Sequence, residues 1–259
     1  MARAVRRVSG AQRGMALTFE GRTALVTGAG SGIGRATAEL LLGCGLDVIG
    51  VDLQTPAPFE TEGGAQLLVA ADVRDRAALE RALEEIGAKP EYVVNCAGII
   101  DTSGFRDVSS EAFSRVLDVN LVGAYQVIDV ARALGGLRAV VNITSLEASR
   151  VIALSNPDPN PAYAASKAGL SMLTQTAARA LAPLGARVNA IAPGFIFTPM
   201  VAGQHGSADT LPPVLEPRVP LGVFGKSGQI AESIAFLLSD QASFITGSEL
   251  VVDGGFRQT

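Results

Sequence analysis

Two residues four positions apart, Tyr163 and Lys167, could together carry out proton transfer. On a helix, this spacing puts both side chains on the same face. A phenol with a pKa of about 10 is a poor base at neutral pH, and a neighbouring ammonium group favours the phenolate and lowers that pKa. The pair predicts a general acid–base site, although tyrosine and lysine also share helix faces that have no catalytic role.

A glycine-rich segment, Thr27–Gly34, follows a short β-rich run and precedes a helical one. Its glycines follow the spacing G-x-x-x-G-x-G, which lets the backbone turn tightly and approach a pyrophosphate closely. A helix that begins here directs N–H groups and partial positive charge at the phosphates. A tight strand–helix turn can also use glycines without any ligand, so the flanking elements are what favour a dinucleotide site.

An acidic residue, Asp52, ends the next predicted strand, about 20 residues beyond the glycine loop. A carboxylate at this place accepts hydrogen bonds from an adenosine ribose and repels a 2′-phosphate. The segment Gly50–Gln54 holds no arginine or lysine that could bind such a phosphate. Asp52 therefore predicts NAD(H) in preference to NADP(H). The alternative is an aspartate that only caps a turn.

The elements that must position these residues alternate between strand and helix. The predicted strands are apolar on both faces, as in a parallel sheet covered by helices on each side. They cover Thr23–Thr27, Asp47–Val51, Gln66–Ala70, Glu91–Val94, Ala139–Ile143, Arg187–Ile191 and Glu249–Val252. The predicted helices cover Arg35–Leu42, Arg76–Ile86, Ser110–Leu134, Ala164–Leu181 and Gln229–Leu238.

This alternation predicts the α/β class, with a doubly wound Rossmann-type parallel sheet of about seven strands. We expect one dinucleotide-binding catalytic domain over residues 19–259, and a disordered tail over residues 1–18. Little helix is expected in Gln54–Gly64, which contains two prolines and paired glycines.

Composition argues against several other classes of function. The net charge is −4 with both signs dispersed, which gives no basic footprint for nucleic acid. The apolar runs are far shorter than the roughly 20 residues needed to span a bilayer, and we expect a cytoplasmic protein. Cys44 and Cys96 are predicted to be small core residues, and the single histidine, His205, has no neighbouring ligands, so no metal site is predicted.

Further short motifs follow the predicted strands in a specific order. They are Asp72-Val73, Asn95–Gly98, Asn120 within Val119–Gly123, Ser145, Pro193-Gly194, Thr198 and Val252–Gly255. Together with the glycine loop, Tyr163 and Lys167, they resemble the short-chain dehydrogenase/reductase family in its roughly 250-residue form. The resemblance extends from about Phe19 to Phe256.

The resemblance implies a role for each of these positions. Ser145 would stabilise charge on the substrate oxygen, Tyr163 would exchange the alcohol proton, Lys167 would hold the nicotinamide ribose, and Asn120 would position a water that links Lys167 to solvent. Lys167 and the positive nicotinamide ring would lower the pKa of Tyr163. The implied cofactor-binding residues are Gly28, Ser31, Gly32, Ile33, Gly34, Asp52, Asp72, Val73, Asn95, Gly98, Tyr163, Lys167, Pro193, Ile196 and Thr198.

The substrate side departs from the family pattern. Tyr163 follows Ser145 by 18 residues, several more than is usual, and the excess falls in the proline-rich Ser155–Pro161. We expect this loop to fold outward and leave the catalytic residues together. The predicted lid, Phe195–Val223, offers apolar side chains that either favour an apolar substrate or pack within the lid. These are Phe195, Phe197, Met200, Val201, Leu211, Val214 and Leu215.

The leading hypothesis is an NAD(H)-dependent oxidoreductase that interconverts a secondary alcohol and a ketone by hydride transfer, on a hydrophobic or cyclic substrate. One alternative is an NADPH-dependent reductase of 3-oxoacyl-[acyl-carrier-protein] thioesters, which the segment Ala190–Ile196 resembles. A more remote one is a non-catalytic dinucleotide sensor. The resemblance also implies a homotetramer, or a homodimer, that uses the last helix and Glu249–Val252 as one interface.

Overall fold

A seven-stranded parallel sheet forms the centre of the protein in a computed structural model, which describes residues 17–152, 158–198 and 210–259. The strand order is β3-β2-β1-β4-β5-β6-β9, and a separate parallel pair is formed by β7 and β8. The strands are β1 Thr23–Thr27, β2 Asp47–Asp52, β3 Gln66–Ala70, β4 Tyr92–Asn95, β5 Ala139–Ile143, β6 Arg187–Pro193, β7 Ile196–Phe197, β8 Gly225–Lys226 and β9 Glu249–Val252.

Helices cover both faces of this sheet. They are α1 Gly32–Gly43, α2 Arg76–Ile86, α3 Ser110–Leu117, α4 Ala124–Leu134, α5 Pro161–Leu181 and α6 Ser227–Leu238. Side chains of α1 and α6, such as Leu41 and Ile234, pack with one face of the strands, while those of α2 and α4, such as Leu79 and Val127, pack with the other. The predicted doubly wound Rossmann-type sheet is confirmed.

The strand order reverses between β1 and β4, which pair in parallel with Thr27 opposite Asn95. In open α/β sheets, ligands bind in the crevice beyond the carboxyl ends of the strands at this reversal point. Thr27 ties the two strand ends together, because its hydroxyl accepts the N–H of Ala97 at 3.1 Å and lies 3.4 Å from the carbonyl oxygen of Val94. The topology thus places the crevice where the glycine loop begins.

Most element predictions are confirmed, and the helices show the main differences. The single helix predicted over Ser110–Leu134 is wrong, because a π-helical segment, Asp118–Gly123, separates α3 from α4. The fifth helix begins at Pro161 rather than Ala164, since proline is well tolerated in a first helical turn and Asn160 caps that turn. The first helix begins at Gly32, inside the glycine loop. As predicted, residues 53–65 contain no helix.

Some predictions fall outside the described residues: most of the disordered tail (1–16), residues 155–157 of the proline-rich stretch, and Met200, Val201 and His205 of the lid. Leu17 and Thr18 contact the domain, where the backbone of Thr18 accepts a hydrogen bond from the N–H of Asp240 at 2.9 Å.

The prediction of two core cysteines is wrong for Cys44, which is exposed at the end of α1. Cys96 is half-buried. No described helix is both long and apolar enough to span a bilayer.

Candidate active site

A cavity of about 390 Å³ lies beyond the carboxyl ends of β1, β2, β3, β4 and β5. Most of the predicted cofactor residues line it. They are Gly28, Ser31, Gly32, Ile33, Gly34, Asp52, Asp72, Val73, Gly98, Tyr163, Lys167 and Thr198. The cavity therefore joins the glycine loop at one end to the Tyr163–Lys167 pair at the other.

The glycine loop forms a cradle that side chains would fill. Gly28 has a φ of +67°, and a Cβ there would lie 2.9 Å from the backbone nitrogen of Ala97. A Cβ on Gly34 would overlap the carbonyl oxygen of Gly28. The side chain of Ser31 makes no capping hydrogen bond at the start of α1, so the N–H groups of this first turn remain for an anionic ligand. These features fit the pyrophosphate of a dinucleotide.

Asp52 lies at the edge of this cradle, and its carboxylate is held by two backbone donors. Oδ2 accepts the N–H of Gly30 at 2.9 Å, and Oδ1 accepts the N–H of Leu53 at 2.7 Å. Arg35, which follows the loop, is engaged elsewhere, since it pairs with Glu39 and donates to the carbonyl oxygens of residues 57 and 58.

A second arginine, Arg74, lines the cavity and was missed by the sequence reasoning. Its guanidinium Nη2 lies 2.6 Å from Oδ2 of Asp72. This bond holds the pKa of the Asp72 carboxyl below its usual value and raises the pKa of Arg74. Its position directly after Asp72-Val73 was the signal that could have identified it.

The predicted acid–base residues lie together at the far end of the cavity. The side chain of Tyr163 is hydrogen-bonded to Ser145. Nζ of Lys167 lies 5.6 Å from the centre of the Tyr163 ring and donates to the carbonyl oxygen of Ile143 at 2.7 Å. Asn160 caps the helix that carries both residues, because its Oδ1 accepts the N–H of Tyr163 at 3.1 Å.

Burial dominates the electrostatics of this pair. Although the Tyr163 side chain reaches the cavity, burial raises its pKa to about 12; Glu147 acts in the same direction and the hydrogen bond from Ser145 opposes it. Burial also lowers the pKa of Lys167 to about 8. Loss of hydration is thus the largest influence on the Tyr163 pKa in the protein alone. The lowering expected from Lys167 together with the nicotinamide ring concerns the cofactor-bound protein and stays a prediction.

Asn120 lies in the π-helical segment, and its side chain is fully engaged. Its Nδ2 donates to the carbonyl oxygen of Ile99 at 2.9 Å and to the hydroxyl of Ser166 at 3.0 Å, while Oδ1 accepts the N–H of Ile99 at 2.8 Å. Both amide hydrogens are thus used within the protein. The side chain ties the segment after β4 to α5, and the predicted role of Asn120 in positioning a water stays a prediction.

Three predicted cofactor residues, Asn95, Pro193 and Ile196, are not among the described residues that line the cavity. Asn95 is buried in the sheet and donates to Asn142 at 2.8 Å. Pro193 ends β6 and Ile196 is buried in β7. Other lining residues were not predicted, and most follow directly after strand ends: Leu53, Ala71, Cys96, Ala97 and Ile99.

The turn after β5 and the described part of the predicted lid lie where the substrate side is expected. Ser145 precedes a short 3₁₀ helix, Leu146–Ala148, whose Leu146 is buried with lid residues. Leu211 and Leu215 pack in this apolar cluster, so these predicted lid residues pack within the lid, and Val214 remains partly exposed. The carboxylate of Glu147 acts on Tyr163 from this turn and was not identified from the sequence.

Comparisons with known proteins agree with this geometry. A family model described as enoyl-(acyl carrier protein) reductase matches residues 28–257. A short-chain type dehydrogenase/reductase of Sinorhizobium fredii is 41% identical over 91% of this chain, which spans only 44% of that relative's length. The dog (3R)-3-hydroxyacyl-CoA dehydrogenase is 38% identical, over 92% of this chain and 97% of its own.

Two further similarities bear on substrate and cofactor. Cyclohexanol dehydrogenase of Acinetobacter sp. (strain SE19) is 35% identical, over 93% of this chain and 97% of its own. A crystal structure from Agrobacterium tumefaciens with bound NADP is 30% identical, with a TM-score of 0.80, and covers 95% of this chain and 100% of its own. Fold, cavity and relatives agree, and the chain belongs to the short-chain dehydrogenase/reductase family of oxidoreductases, which act on CH–OH groups with a nicotinamide dinucleotide.

Proposed function

We propose that the protein is an NAD(H)-dependent oxidoreductase that interconverts a secondary alcohol and a ketone on a hydrophobic or cyclic substrate, with Tyr163 as the acid–base residue. The observation that carries this proposal is the single cavity that joins the glycine loop to Tyr163 and Lys167. A cavity with the cradle alone would fit a dinucleotide sensor. The hydrogen-bonded Ser145–Tyr163 pair at its other end favours catalysis.

The residues of this chain have two roles, which are to stabilise charge on the substrate oxygen and to transfer its proton. When bound, the nicotinamide supplies the hydride acceptor for oxidation and the hydride donor for reduction. The hydroxyl groups of Ser145 and Tyr163 hold the substrate oxygen, and Tyr163 takes the proton of the alcohol during oxidation and returns it during reduction. The ammonium group of Lys167 lies close to the Tyr163 ring. Together with the positive nicotinamide ring, it would lower the pKa of the Tyr163 phenol toward neutral pH.

Asp52 supports the preference for NAD(H). Two backbone donors already orient its carboxylate toward the adenosine end of the cavity, where it would accept from ribose hydroxyls and repel a 2′-phosphate. Arg74 is the lining cation that could oppose this preference, but Asp72 neutralises it at 2.6 Å. Because a related structure binds NADP, we attribute the preference to Asp52 in this chain rather than to the family.

A second candidate function is the oxidation or reduction of an acyl thioester. The (3R)-3-hydroxyacyl-CoA dehydrogenase relative and the acyl-carrier description of the matching family model favour it. The cyclohexanol dehydrogenase relative favours the cyclic alcohol. The apolar cluster beneath the lid suits either substrate, so the two candidates differ in whether the substrate extends beyond the cavity.

The first experiment compares NADH and NADPH binding to the purified protein by fluorescence at fixed ionic strength. We expect NADH to bind at least about tenfold tighter, a difference of about 1.4 kcal/mol, and Asp52→Ala to remove most of that difference. Asp75→Ala is the matched control, since Asp75 caps α2 and is not among the residues that line the cavity. Tighter binding of NADPH by the wild-type protein would contradict the preference.

The second experiment follows NADH formation with cyclohexanol and with a (3R)-3-hydroxyacyl thioester. Tyr163→Phe is the control for catalysis by the proposed site. Oxidation of cyclohexanol that depends on Tyr163 supports the leading proposal, whereas Tyr163-dependent turnover of the thioester alone moves the second candidate to the front. Binding of the dinucleotide without turnover of either alcohol would favour the sensor.

We also propose that the chain assembles as a homotetramer, with α6 and β9 in one interface. Leu250 on β9 is 40% exposed and Phe244, which lies between α6 and β9, is fully exposed. Apolar side chains exposed together mark an interaction surface more often than isolated ones do. Light scattering of the wild-type protein and of Phe244→Ser tests this, and an unchanged mass in the variant would exclude Phe244 from the interface.

A further inference from the structure

A half-buried carboxylate, that of Glu147, lies beside the proposed acid–base pair and has no role in proton transfer as described above. Glu147 occupies the same turn as Ser145, and its backbone N–H donates to the Ser145 hydroxyl at 3.2 Å. Ser145 in turn is hydrogen-bonded to the side chain of Tyr163, and the charge of Glu147 acts on Tyr163 directly. The three side chains therefore form one cluster.

The carboxylate of Glu147 has no protein partner among the residues that the structure describes. It accepts no hydrogen bond and forms no ion pair with them, and Arg150, three residues later, does not pair with it. Burial alone raises its pKa to about 7. A carboxylate in such a place costs free energy unless a donor reaches it. No described side chain supplies one, so the carboxylate is a free acceptor for a donor group on a molecule bound at Tyr163.

The surroundings limit what that donor can be. Leu146, the neighbour of Glu147, is buried in the apolar cluster with Leu211, Leu215 and Phe224, which suits the apolar substrate body of the proposed function. An anionic substituent would be repelled by the carboxylate. A cationic one would be repelled by the ammonium group of Lys167, which lies 5.6 Å from the centre of the Tyr163 ring. A neutral hydroxyl satisfies the carboxylate and meets neither opposition.

We propose that Glu147 is a substrate-binding residue that accepts a hydrogen bond from a second hydroxyl group, on the carbon next to the one that is oxidised, so that the preferred substrates are apolar-bodied vicinal diols. Ser145 and Tyr163 hold the reacting oxygen, and Glu147, two residues after Ser145 in the same turn, accepts from the oxygen on the neighbouring carbon. This inference rests on the proposed function of the same site. The substrate hydroxyl also disperses the charge that otherwise opposes the Tyr163 phenolate.

The test compares cis-1,2-cyclohexanediol with cyclohexanol, using NAD as the oxidant, for the wild-type protein, Glu147→Gln and Glu147→Leu. We expect wild-type kcat/KM to favour the diol by about 10–100-fold, the value of one hydrogen bond to a charged group. Glu147→Leu should lose this ratio while it still oxidises cyclohexanol, and Glu147→Gln, which keeps an acceptor oxygen, should retain part of it. Glu216→Gln removes an exposed carboxylate from the lid and is the matched control.

A binding measurement separates recognition from turnover. In the Tyr163→Phe background, which is expected to bind substrate without oxidising it, the diol should bind at least about tenfold more weakly when Glu147→Leu is added, as seen in the fluorescence of bound NADH. Thermal unfolding of each variant shows whether it is folded. If Glu147→Leu does not fold, the diol-to-cyclohexanol ratio of kcat/KM in Glu147→Gln tests the proposal instead.

The possible outcomes are distinct. An equal diol-to-cyclohexanol ratio in the wild type and Glu147→Leu overturns the role of Glu147 but leaves the proposed function intact. A wild-type preference for cyclohexanol also overturns it, and so does a preference for 2-aminocyclohexanol over the diol, since the group recognised would then be an ammonium. If wild-type protein oxidises neither alcohol in a Tyr163-dependent way, the proposed function itself fails.

Discussion

The glycine loop lines one end of the cavity and the Ser145–Ala148 turn contacts Tyr163 at the other, and the two are built in different ways. The loop after β1 binds through its main chain: Gly28 and Gly34 matter because they lack side chains. The turn after β5 acts through side chains whose ionisation is shifted by burial and by one another. Binding at the cofactor end depends on steric fit, whereas the substrate end depends on electrostatics. We therefore expect substitutions at the two ends to change different properties, namely NADH affinity at the first and turnover and pH dependence at the second.

Tyr163→Phe should give the largest effect and should affect only the substrate end. Loss of the phenol removes the proton carrier, so kcat/KM for alcohol oxidation should fall by about 10²–10⁴-fold. The ring and its packing remain, and the dissociation constant for NADH should change by less than about threefold, a difference below about 0.7 kcal/mol. Steady-state kinetics and NADH fluorescence test the two statements. Full activity in this variant would exclude Tyr163 as the acid–base residue.

Gly34→Ala should break the cofactor end. Its Cβ would overlap the carbonyl oxygen of Gly28, so the loop must shift at a cost of about 1–3 kcal/mol, and NADH should bind about 10–100-fold more weakly. Gly43→Ala, in the same helix, is the control: its Cβ would lie 3.5 Å from Thr61, an ordinary contact. Equal NADH affinity in both variants would show that the cradle is not needed.

This contrast also explains which parts could be predicted from the sequence. The cradle occupies consecutive residues between a strand and a helix, so a local pattern was enough to locate Gly28–Gly34 and Asp52. The seven strands could be predicted because each is an apolar run bounded by polar or glycine-rich turns. Tyr163, Lys167 and Ser145 could be assigned because they match a family pattern.

The rest depends on contacts between residues far apart in the chain. The π-helical segment around Asn120 follows from its bonds to Ile99 and Ser166, which lie 21 and 46 residues away, and no periodicity reports such bonds. Glu147 has no motif, and its importance arises only when the turn after β5 meets α5. The effect of burial on the pKa of Tyr163 could not be predicted for the same reason: the cost of burial depends on the whole fold, not on the four-residue spacing.

The pH dependence of stability should reveal the cost of the carboxylate at the substrate end. The pKa of Glu147 is about 7 in the folded protein and 4.5 as a reference, so the folded state holds its proton more tightly. Its contribution makes the protein less stable as pH rises from about 4.5 to about 7, and the full cost remains above that. We compare the free energy of unfolding of Glu147→Gln with that of the wild type at each pH. With solvent screening allowed for, we expect this difference to be about 1–2 kcal/mol more favourable to the variant at pH 8 than at pH 5.

Urea unfolding of both proteins at pH 5 and pH 8 measures this difference. The cofactor end supplies the comparison through Asp72, whose pKa is lowered by Arg74: there the stabilisation is present above the unfolded-state pKa and is lost as pH falls through the folded one. Asp72→Asn should therefore lose stability relative to the wild type on going from low pH to neutral pH, opposite in sign to Glu147→Gln. If the stability difference from the wild type changed with pH in the same direction for both variants, Glu147 would not be the destabilising carboxylate and Asp72 the stabilising one.

Asn160→Ala should give the smallest change in stability. It tests how the end of the proline-rich stretch Ser155–Pro161 is tied to the substrate end. Asn160 caps α5 through the N–H of Tyr163, and its Nδ2 also donates to the carbonyl oxygen of Asp101; nearby, Asp158 accepts the N–H of Arg106 at 3.1 Å. Losing the cap should cost about 1 kcal/mol, as should Asp75→Ala at α2.

The two cap variants should differ in activity, although they are matched in stability. Asn160→Ala loosens the turn that carries Tyr163, so kcat should fall several-fold while NADH binding is unchanged, because small misplacements of a reacting group are costly. Asp75→Ala should leave kcat unaltered. Asn160→Asp keeps the capping oxygen but cannot donate to Asp101, so it separates the two bonds. Recovery of kcat in this variant would assign the effect to the cap. No recovery would assign it to the link between the proline-rich stretch and the segment that follows β4.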